Sequence, residues 1–158
     1  HRHESLTMQR SSTSPDEFLA DLSGDVAATM RQIDELVVDA MPGRSRTLWE
    51  GVFWGGTEQT IIGYGDIVQP RPRGERVEWF LVGLARQSKH YSLYVNAVAD
   101  GTYLGKQYDR RLGKVKVGAA SLTFTKLEDV DLSAMSELLG RAHELTAPDE
   151  RFDTDPSG

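Results

Sequence analysis

The stretch that decides the fold is VEWFLVGLARQSKHYSLYVNAV, residues 77–98. Residues 77–84 are apolar at both odd and even positions, which is typical of a central strand that is buried on both faces. From residue 90 the pattern changes, and apolar and polar positions alternate. The apolar set is Tyr91, Leu93, Val95 and Ala97, and the polar set is His90, Ser92, Tyr94 and Asn96. We therefore predict two strands joined at residues 86–89, the second with one buried face and one face in water.

Two amphipathic helical regions flank the strands. Ser14, Pro15 and the acidic residues after them predict a helix start, and helical spacing of apolar residues predicts a longer helix over residues 25–41. Asp131 is expected to cap a last helix over residues 132–145. The buried stripe of that helix is predicted to be Leu132, Met135, Leu138, Leu139, Ala142 and Leu145.

The remaining segments give weaker signals. Residues 48–54 fit either a strand or a short helix with a turn, and residues 102–111 favour a short helix. Residues 60–68 read as a strand interrupted by Gly63 and Gly65, which suggests a bulge or a close backbone approach. Strands joined by short loops imply an antiparallel sheet, so the predicted class is α+β, with the N- and C-terminal helices on one face. The other face is expected to carry the polar row of residues 90–96.

Composition indicates one domain. The chain has 158 residues, 39% hydrophobic and 27% charged, and we predict a single α+β domain over residues 14–146. Residues 1–13 are expected to form a disordered leader and residues 147–158 a disordered acidic tail. The absence of cysteine excludes disulfides and thiolate catalysis. No apolar run reaches the length of a membrane span, so we expect no membrane partner and, by default, a cytoplasmic location.

Charge is unevenly distributed along the chain. The net charge is −6, yet residues 71–126 carry 11 Lys and Arg against 4 Asp and Glu, a balance of +7. Two interpretations stay open: acidic helices cover a basic sheet, or a basic surface stays exposed and attracts anions. An isoelectric point near 5.2 makes nucleic acid an unfavoured partner.

Three segments together resemble a known family: GYGDIV at residues 63–68, the stretch at 77–95, and LGKVKVGAASLTFTKLEDVDL at residues 112–132. Over about residues 25–145 the chain looks like the YdhG-like family, a domain family of unknown function. The resemblance implies a frataxin-like two-layer α/β sandwich. One bacterial branch of that family is described as an iron chaperone, so the resemblance also implies iron as a ligand to consider.

Several side chains are candidates for binding a ligand. Lys89 and His90 are suited to proton transfer or anion binding, or are simply a solvated strand end. LGKVKVG at residues 112–118 is either a phosphate cradle or a tight connection into a strand. Aromatic residues beside glycines are candidates for a pocket rim. The full ligand-binding set predicted from the sequence is Trp54, Tyr64, Lys89, His90, Tyr94, Lys114 and Lys116.

The candidate metal ligands are acidic residues of the first helical region: Asp16, Glu17, Asp21 and Asp25. Hard oxygen donors suit iron, which the family resemblance brings forward, but a charge run is also typical of a solvated helix face. No cofactor is expected to be required for folding.

The function predicted from these features is non-enzymatic binding of a small anionic ligand or a metal ion, by a monomer or a homodimer. One alternative is a small enzyme with a pocket centred on His90, which requires a carboxylate within hydrogen-bond reach of that histidine. The other is a protein-interaction module that uses the exposed sheet. No nucleophile elbow and no Walker phosphate loop is present in the sequence.

Overall fold

The computed structural model describes residues 8–52, 58–70 and 76–149. The helices are α1 (Pro15–Ala20), α2 (Gly24–Ala40), α3 (Leu104–Gln107) and α4 (Leu132–Glu144), with a 3-10 turn at Leu127–Asp129. The strands are β1 (Met8–Arg10), β2 (Arg46–Val52), β3 (Glu58–Pro70), β4 (Arg76–Arg86), β5 (Tyr91–Val95), β6 (Val98–Ala99), β7 (Thr102–Tyr103), β8 (Lys116–Val117) and β9 (Ser121–Phe124).

Seven strands form one antiparallel sheet in the order β1-β2-β3-β4-β5-β9-β8, and β6 pairs with β7 separately. Helices α2 and α4 pack on one face of this sheet, which we call the helix face. The predicted α+β class and antiparallel sheet are therefore confirmed. Among the described residues, none of the helices is long and apolar enough to cross a membrane.

Strand β4 lies at the centre of the sheet, as its continuous apolar pattern predicts. Leu81, Val82 and Leu84 belong to the core under the helices, whereas Phe80 and Ala85 belong to a smaller cluster on the opposite face. All five side chains are buried. The two strands predicted from residues 77–98 are β4 and β5, paired antiparallel in the register Leu84↔Leu93.

The alternating residues of and after β5 behave as predicted on the buried side. Tyr91, Leu93, Val95 and Ala97 all lie in the core that the helices cover. The stripe of α4 is correct at Met135, Leu138, Leu139 and Ala142. It is wrong at the two ends: Leu132 is 44% exposed and Leu145 is 51% exposed. Leu132 is the first residue of α4 and Leu145 is its C-cap, so both lie at the ends of the helix.

The face opposite the helices, which we call the open face, is more apolar than predicted. Trp49, Ile61, Phe80 and Ala85 are buried there, with Trp79 and Tyr94 packed against them. The indole of Trp49 meets that of Trp79 edge-on at 5.3 Å between centroids. Ser92 is only 3% exposed, so the expectation that the whole polar row of β5 faces water is wrong.

Two strand glycines explain how these rings lie so close to the sheet. A Cβ at Gly63 would stand 2.7 Å from Nε1 of Trp49, and a Cβ at Gly83 would stand 2.6 Å from Cε1 of Phe80. The rings occupy the space that side chains would fill, which is the close backbone approach expected of a strand glycine. Gly65 has φ of +86°, a left-handed conformation that glycine adopts without strain.

Several boundaries differ from the sequence-based expectation. β1 lies inside the predicted leader and pairs with β2, as in Arg10↔Trp49. Residues 46–52 form a strand, which resolves the ambiguity of that segment, and α3 spans only Leu104–Gln107. The first residues of the predicted tail contact the domain, because Ala147 and Asp149 accept hydrogen bonds from Arg44. Residues 150–158 lie outside the described residues.

Candidate ligand-binding cleft

An open cleft of about 900 Å³ lies at the end of the sheet where β4 turns into β5. The last residues of β2 and the first residues of β3 border it, because Gly51 pairs with Gln59 and Val52 with Glu58. Helix α1, with Phe18, and the segment after it, with Leu22, supply its apolar wall. The lining residues are Phe18, Leu22, Glu50, Gly51, Glu58, Gln59, Thr60, Arg86, Gln87, Ser88 and His90.

The apolar wall is fixed by the start of α1. The Ser14 hydroxyl accepts a hydrogen bond from the Glu17 backbone N–H at 3.1 Å, and the Glu17 carboxylate accepts one from the Ser14 N–H at 2.8 Å. This reciprocal capping box sets the direction in which the helix starts. Leu19 is buried in the core, so Phe18 and Leu22 are left half-buried beside the cleft.

The turn between β4 and β5 is held by its own hydrogen bonds. The Gln87 backbone N–H donates to the His90 carbonyl at 2.9 Å. The Gln87 side-chain amide donates to Gln59 at 3.0 Å and to the Tyr94 hydroxyl at 3.2 Å, and its carbonyl accepts from the Ser92 hydroxyl at 2.8 Å. The polar residues of β5 therefore brace the wall of the cleft rather than face solvent.

Arg86 is the cationic residue of this wall with a fixed orientation. Its guanidinium carbon lies 4.6 Å from the centroid of the Tyr91 ring, and one terminal nitrogen donates to the Ser88 carbonyl at 3.3 Å. Both contacts hold the plane of the guanidinium without neutralising its charge. Within the described part of the chain, Arg86 forms no ion pair with a carboxylate.

Among the described residues that were predicted to bind a ligand, His90 alone lines the cleft, where it is half-buried. Tyr94 is close but on the open face, where its hydroxyl accepts from Gln87. Lys89 is exposed and is not among the lining residues. Trp54 lies outside the described residues. The structure therefore brings one predicted residue to the cleft and places a second behind its wall.

Tyr64 is fully buried and already has a partner. Its hydroxyl donates to Asp34 at 2.7 Å, and Arg46 donates to the same carboxylate through Nε and Nη2. Burial raises the pKa of Tyr64 well above its ordinary value, and the charge and hydrogen bond of Asp34 raise it further. Tyr64 thus joins α2 to the sheet and is not accessible to a ligand.

Lys114 and Lys116 do not line the cleft; they lie at and near β8, the strand at one edge of the sheet. Both are exposed. The glycine between Leu112 and Lys114 has φ of +91°, and a Cβ there would stand 2.4 Å from the carbonyl oxygen of Asp129. These observations favour the tight connection over the phosphate cradle for residues 112–118.

The predicted metal ligands do not form a metal site. All four are exposed, Asp16 pairs with Arg46 at 3.1 Å, and the Glu17 carboxylate is used by the capping box. Among residues 8–52, 58–70 and 76–149, no group of three or more His, Asp or Glu side chains is arranged to hold a metal ion. This donor set does not fit iron.

A second polar cluster, which we call the C-terminal clamp, lies at the opposite end of the sheet. It comprises Arg44, Ser45, Asp66, His143 and Asp149. Arg44 donates five hydrogen bonds: to Nδ1 and the carbonyl of His143, to the carbonyls of Thr146 and Ala147, and to the Asp149 carboxylate. Its side chain is only 4% exposed. The clamp thus closes the C-terminus of α4 onto the start of β2.

Asp149 completes the clamp by bonding two backbone amides. Its carboxylate accepts from the N–H of Ser45 at 2.9 Å and from the N–H of Asp66 at 3.1 Å. Burial by itself raises the pKa of Asp149, but the hydrogen bonds from Ser45, Asp66 and Arg44 lower it overall. The carboxylate is therefore held in its charged form by the fold.

Sequence reasoning missed Arg86, Gln87, Phe18 and Leu22 as cleft residues. Phe18 and Leu22 carry a visible signal, since both are apolar and stand at helical spacing in the sequence, but that spacing predicts burial as readily as a pocket wall. In the structure α1 ends at Ala20, so Leu22 lies just beyond the helix. Arg86 is marked by the ring beneath it, which only the folded turn shows. Comparison of the chain with family models, curated proteins and solved structures gave no match.

Proposed function

We propose that this domain binds a small molecule in the cleft beneath α1. The observation that carries the proposal is the convergence of an apolar wall, Phe18 and Leu22, with a polar wall braced by Gln87 around a space of about 900 Å³. Small-molecule sites are concave, largely preformed, and combine apolar walls with a few placed polar groups. The helices on one face of an antiparallel sheet also support our proposal of a frataxin-like two-layer fold.

Binding without catalysis is the form that the geometry favours. An enzyme centred on His90 needs a carboxylate that orients the imidazole and stabilises the positive charge of the protonated ring. Glu50 and Glu58 line the same cleft. Among the described residues, however, neither forms a hydrogen bond or ion pair with His90. The enzyme alternative therefore has no assembled acid–base pair to support it.

The test is a fragment screen with a blocked cleft. Ser88 is exposed and lines the cleft, whereas Lys89 is exposed and lies outside the lining set, so Ser88→Trp and Lys89→Trp form a matched pair. A ligand at 100 times its dissociation constant should stabilise the unmodified domain and Lys89→Trp by about 2.7 kcal/mol. The stabilisation should be lost in Ser88→Trp.

The readouts are urea melts together with amide chemical shifts, which locate the bound fragment. Equal stabilisation of both tryptophan variants, with shifts clustered outside the lining residues, would place the site elsewhere and contradict the proposal. A screen in which no fragment gives saturable shifts at the cleft would also contradict it.

A further inference from the structure

Arg86 differs from the other stacked arginines of this domain in what its guanidinium contacts. Arg10 lies over Trp49 and pairs with Asp66 and Glu78. Arg111 lies 4.7 Å from the Tyr108 ring centroid and pairs with Glu137 at 2.7 Å. Arg86 also lies over a ring, but within the described residues its hydrogen-bond partner is one backbone carbonyl, that of Ser88. An arginine has five N–H donors, so most of those of Arg86 remain for another acceptor.

Arg86 lines the cleft, so a ligand bound there can reach those donors. It is half-buried and lines the cleft together with His90. A guanidinium held flat by a ring presents a planar fork, and that fork matches the two oxygens of a carboxylate. The Tyr91 ring has already reduced the rotational freedom that binding would otherwise cost.

From this arrangement, and resting on the proposed function of the cleft, we infer that the ligand is a small carboxylate with an apolar body. Arg86 binds the carboxylate, and Phe18 and Leu22 pack against the body. Arg86 is therefore the residue that makes the cleft selective for carboxylates among small molecules.

The far wall of the cleft orients such a ligand. Glu50 on β2 lies opposite Thr60 on β3. The last β3–β4 pair at this end is Ile61↔Ala85, so the next residues, Thr60 and Arg86, also lie opposite each other. Glu50 and Arg86 are therefore two strands apart, about 10 Å between backbones. Glu50 repels an anion from the β2 side of the cleft, and Arg86 attracts it to the β4 side. The carboxylate of a ligand therefore binds more favourably on the β4 side.

The experiment compares three molecules of one shape and different charge: hexanoate, hexanamide and hexylamine. Each is titrated into the full chain at low ionic strength, and amide chemical shifts of the cleft residues report affinity and position. Hexanoate should bind at least about tenfold more tightly than hexanamide, because a charge-assisted bidentate contact replaces a neutral one. Raising the salt concentration should reduce that preference.

Arg86→Gln should remove the preference for hexanoate, and Arg86→Lys should retain part of it because the charge stays while the planar fork is lost. Arg111→Gln is the matched control: Arg111 also stacks on a tyrosine, but Glu137 already holds its charge. The preference should survive in that variant. Well-dispersed amide spectra confirm that each variant is folded.

Three results are distinguishable failures. Hexanamide or hexylamine binding in the cleft as tightly as hexanoate would overturn the inference and leave the proposed function intact. Hexanoate preference that persists in Arg86→Gln would assign the selectivity to another residue and would also overturn it. If none of the three molecules gives saturable shifts at the cleft, both the inference and small-molecule binding by these walls are contradicted.

Discussion

The two ends of the sheet each hold an arginine against backbone carbonyls, yet the surroundings of those arginines are opposite. At the clamp end, Arg44 donates five hydrogen bonds and its side chain is 4% exposed. At the cleft end, Arg86 rests on Tyr91, donates to a single carbonyl and borders an open space. The described residues thus use all the donors of Arg44 but leave most of the donors of Arg86 without an acceptor.

The difference separates a structural role from a binding role. A buried guanidinium is costly unless every donor finds an acceptor, so the five contacts of Arg44 are what allow it to be buried at all. Arg86 avoids that cost because the cleft keeps it in contact with water. Its unused donors are then available for a ligand, which is the property that a binding residue requires.

The largest effect is expected at the clamp. Arg44→Met should lower the free energy of unfolding by about 3–5 kcal/mol, because it leaves a half-buried carboxylate and several carbonyls without their donor. Urea denaturation of the variant beside the unmodified chain measures this. Arg44→Lys keeps the charge but donates to fewer of the five acceptors. Its free energy of unfolding should therefore lie between those of Arg44→Met and the unmodified chain. A loss below about 1 kcal/mol would show that the clamp is not a main source of stability.

A smaller, pH-dependent effect is expected at Asp149. Asp149→Asn should lower the free energy of unfolding by about 1–2 kcal/mol at neutral pH. The N–H groups of Ser45 and Asp66 bond different oxygens of the carboxylate, and the amide of asparagine keeps only one acceptor oxygen. The pKa of Asp149 is lowered in the folded state. Its contribution is therefore present above the ordinary aspartate pKa of about 3.9 and is lost as the pH falls through the folded-state pKa.

The measurement is a series of urea melts from pH 7 down to pH 3 on both chains. The two stability curves should converge at the acidic end of the series. A difference between them that stays constant below pH 4 would mean that the carboxylate charge of Asp149 is not what the clamp uses.

The sequence predicts the fold well where the signal is local. The central strand β4 and the half-buried strand β5 follow from the apolar pattern of residues 77–98, and the caps at Ser14 and Asp131 follow from helix chemistry. The open face could not be predicted in the same way. Trp49 is buried because its ring lies over Gly63, and that contact depends on the β2–β3 register rather than on either residue alone.

The candidate site was predicted only in part for a similar reason. His90 stands out in a sequence because histidine is rare and titrates near neutrality. Arg86 does not stand out, since arginines are common. The feature that marks Arg86 is that, within the described residues, its guanidinium forms no ion pair with a carboxylate, and a sequence does not show this. Tyr64 shows the opposite error: beside two glycines it looks exposed, but Asp34, thirty positions earlier in the chain, holds its hydroxyl in the core.

The smallest effect on stability is expected at the cleft. Arg86→Gln should change the free energy of unfolding by less than about 1 kcal/mol, the usual value of a partly exposed cation–π contact. Arg111→Gln, which also removes an arginine stacked on a tyrosine, is the matched variant for this measurement. Urea melts of the two variants should agree closely. A loss above about 2 kcal/mol in Arg86→Gln alone would mean that the fold depends on this guanidinium as it does on that of Arg44, and the contrast between the two ends of the sheet would no longer hold.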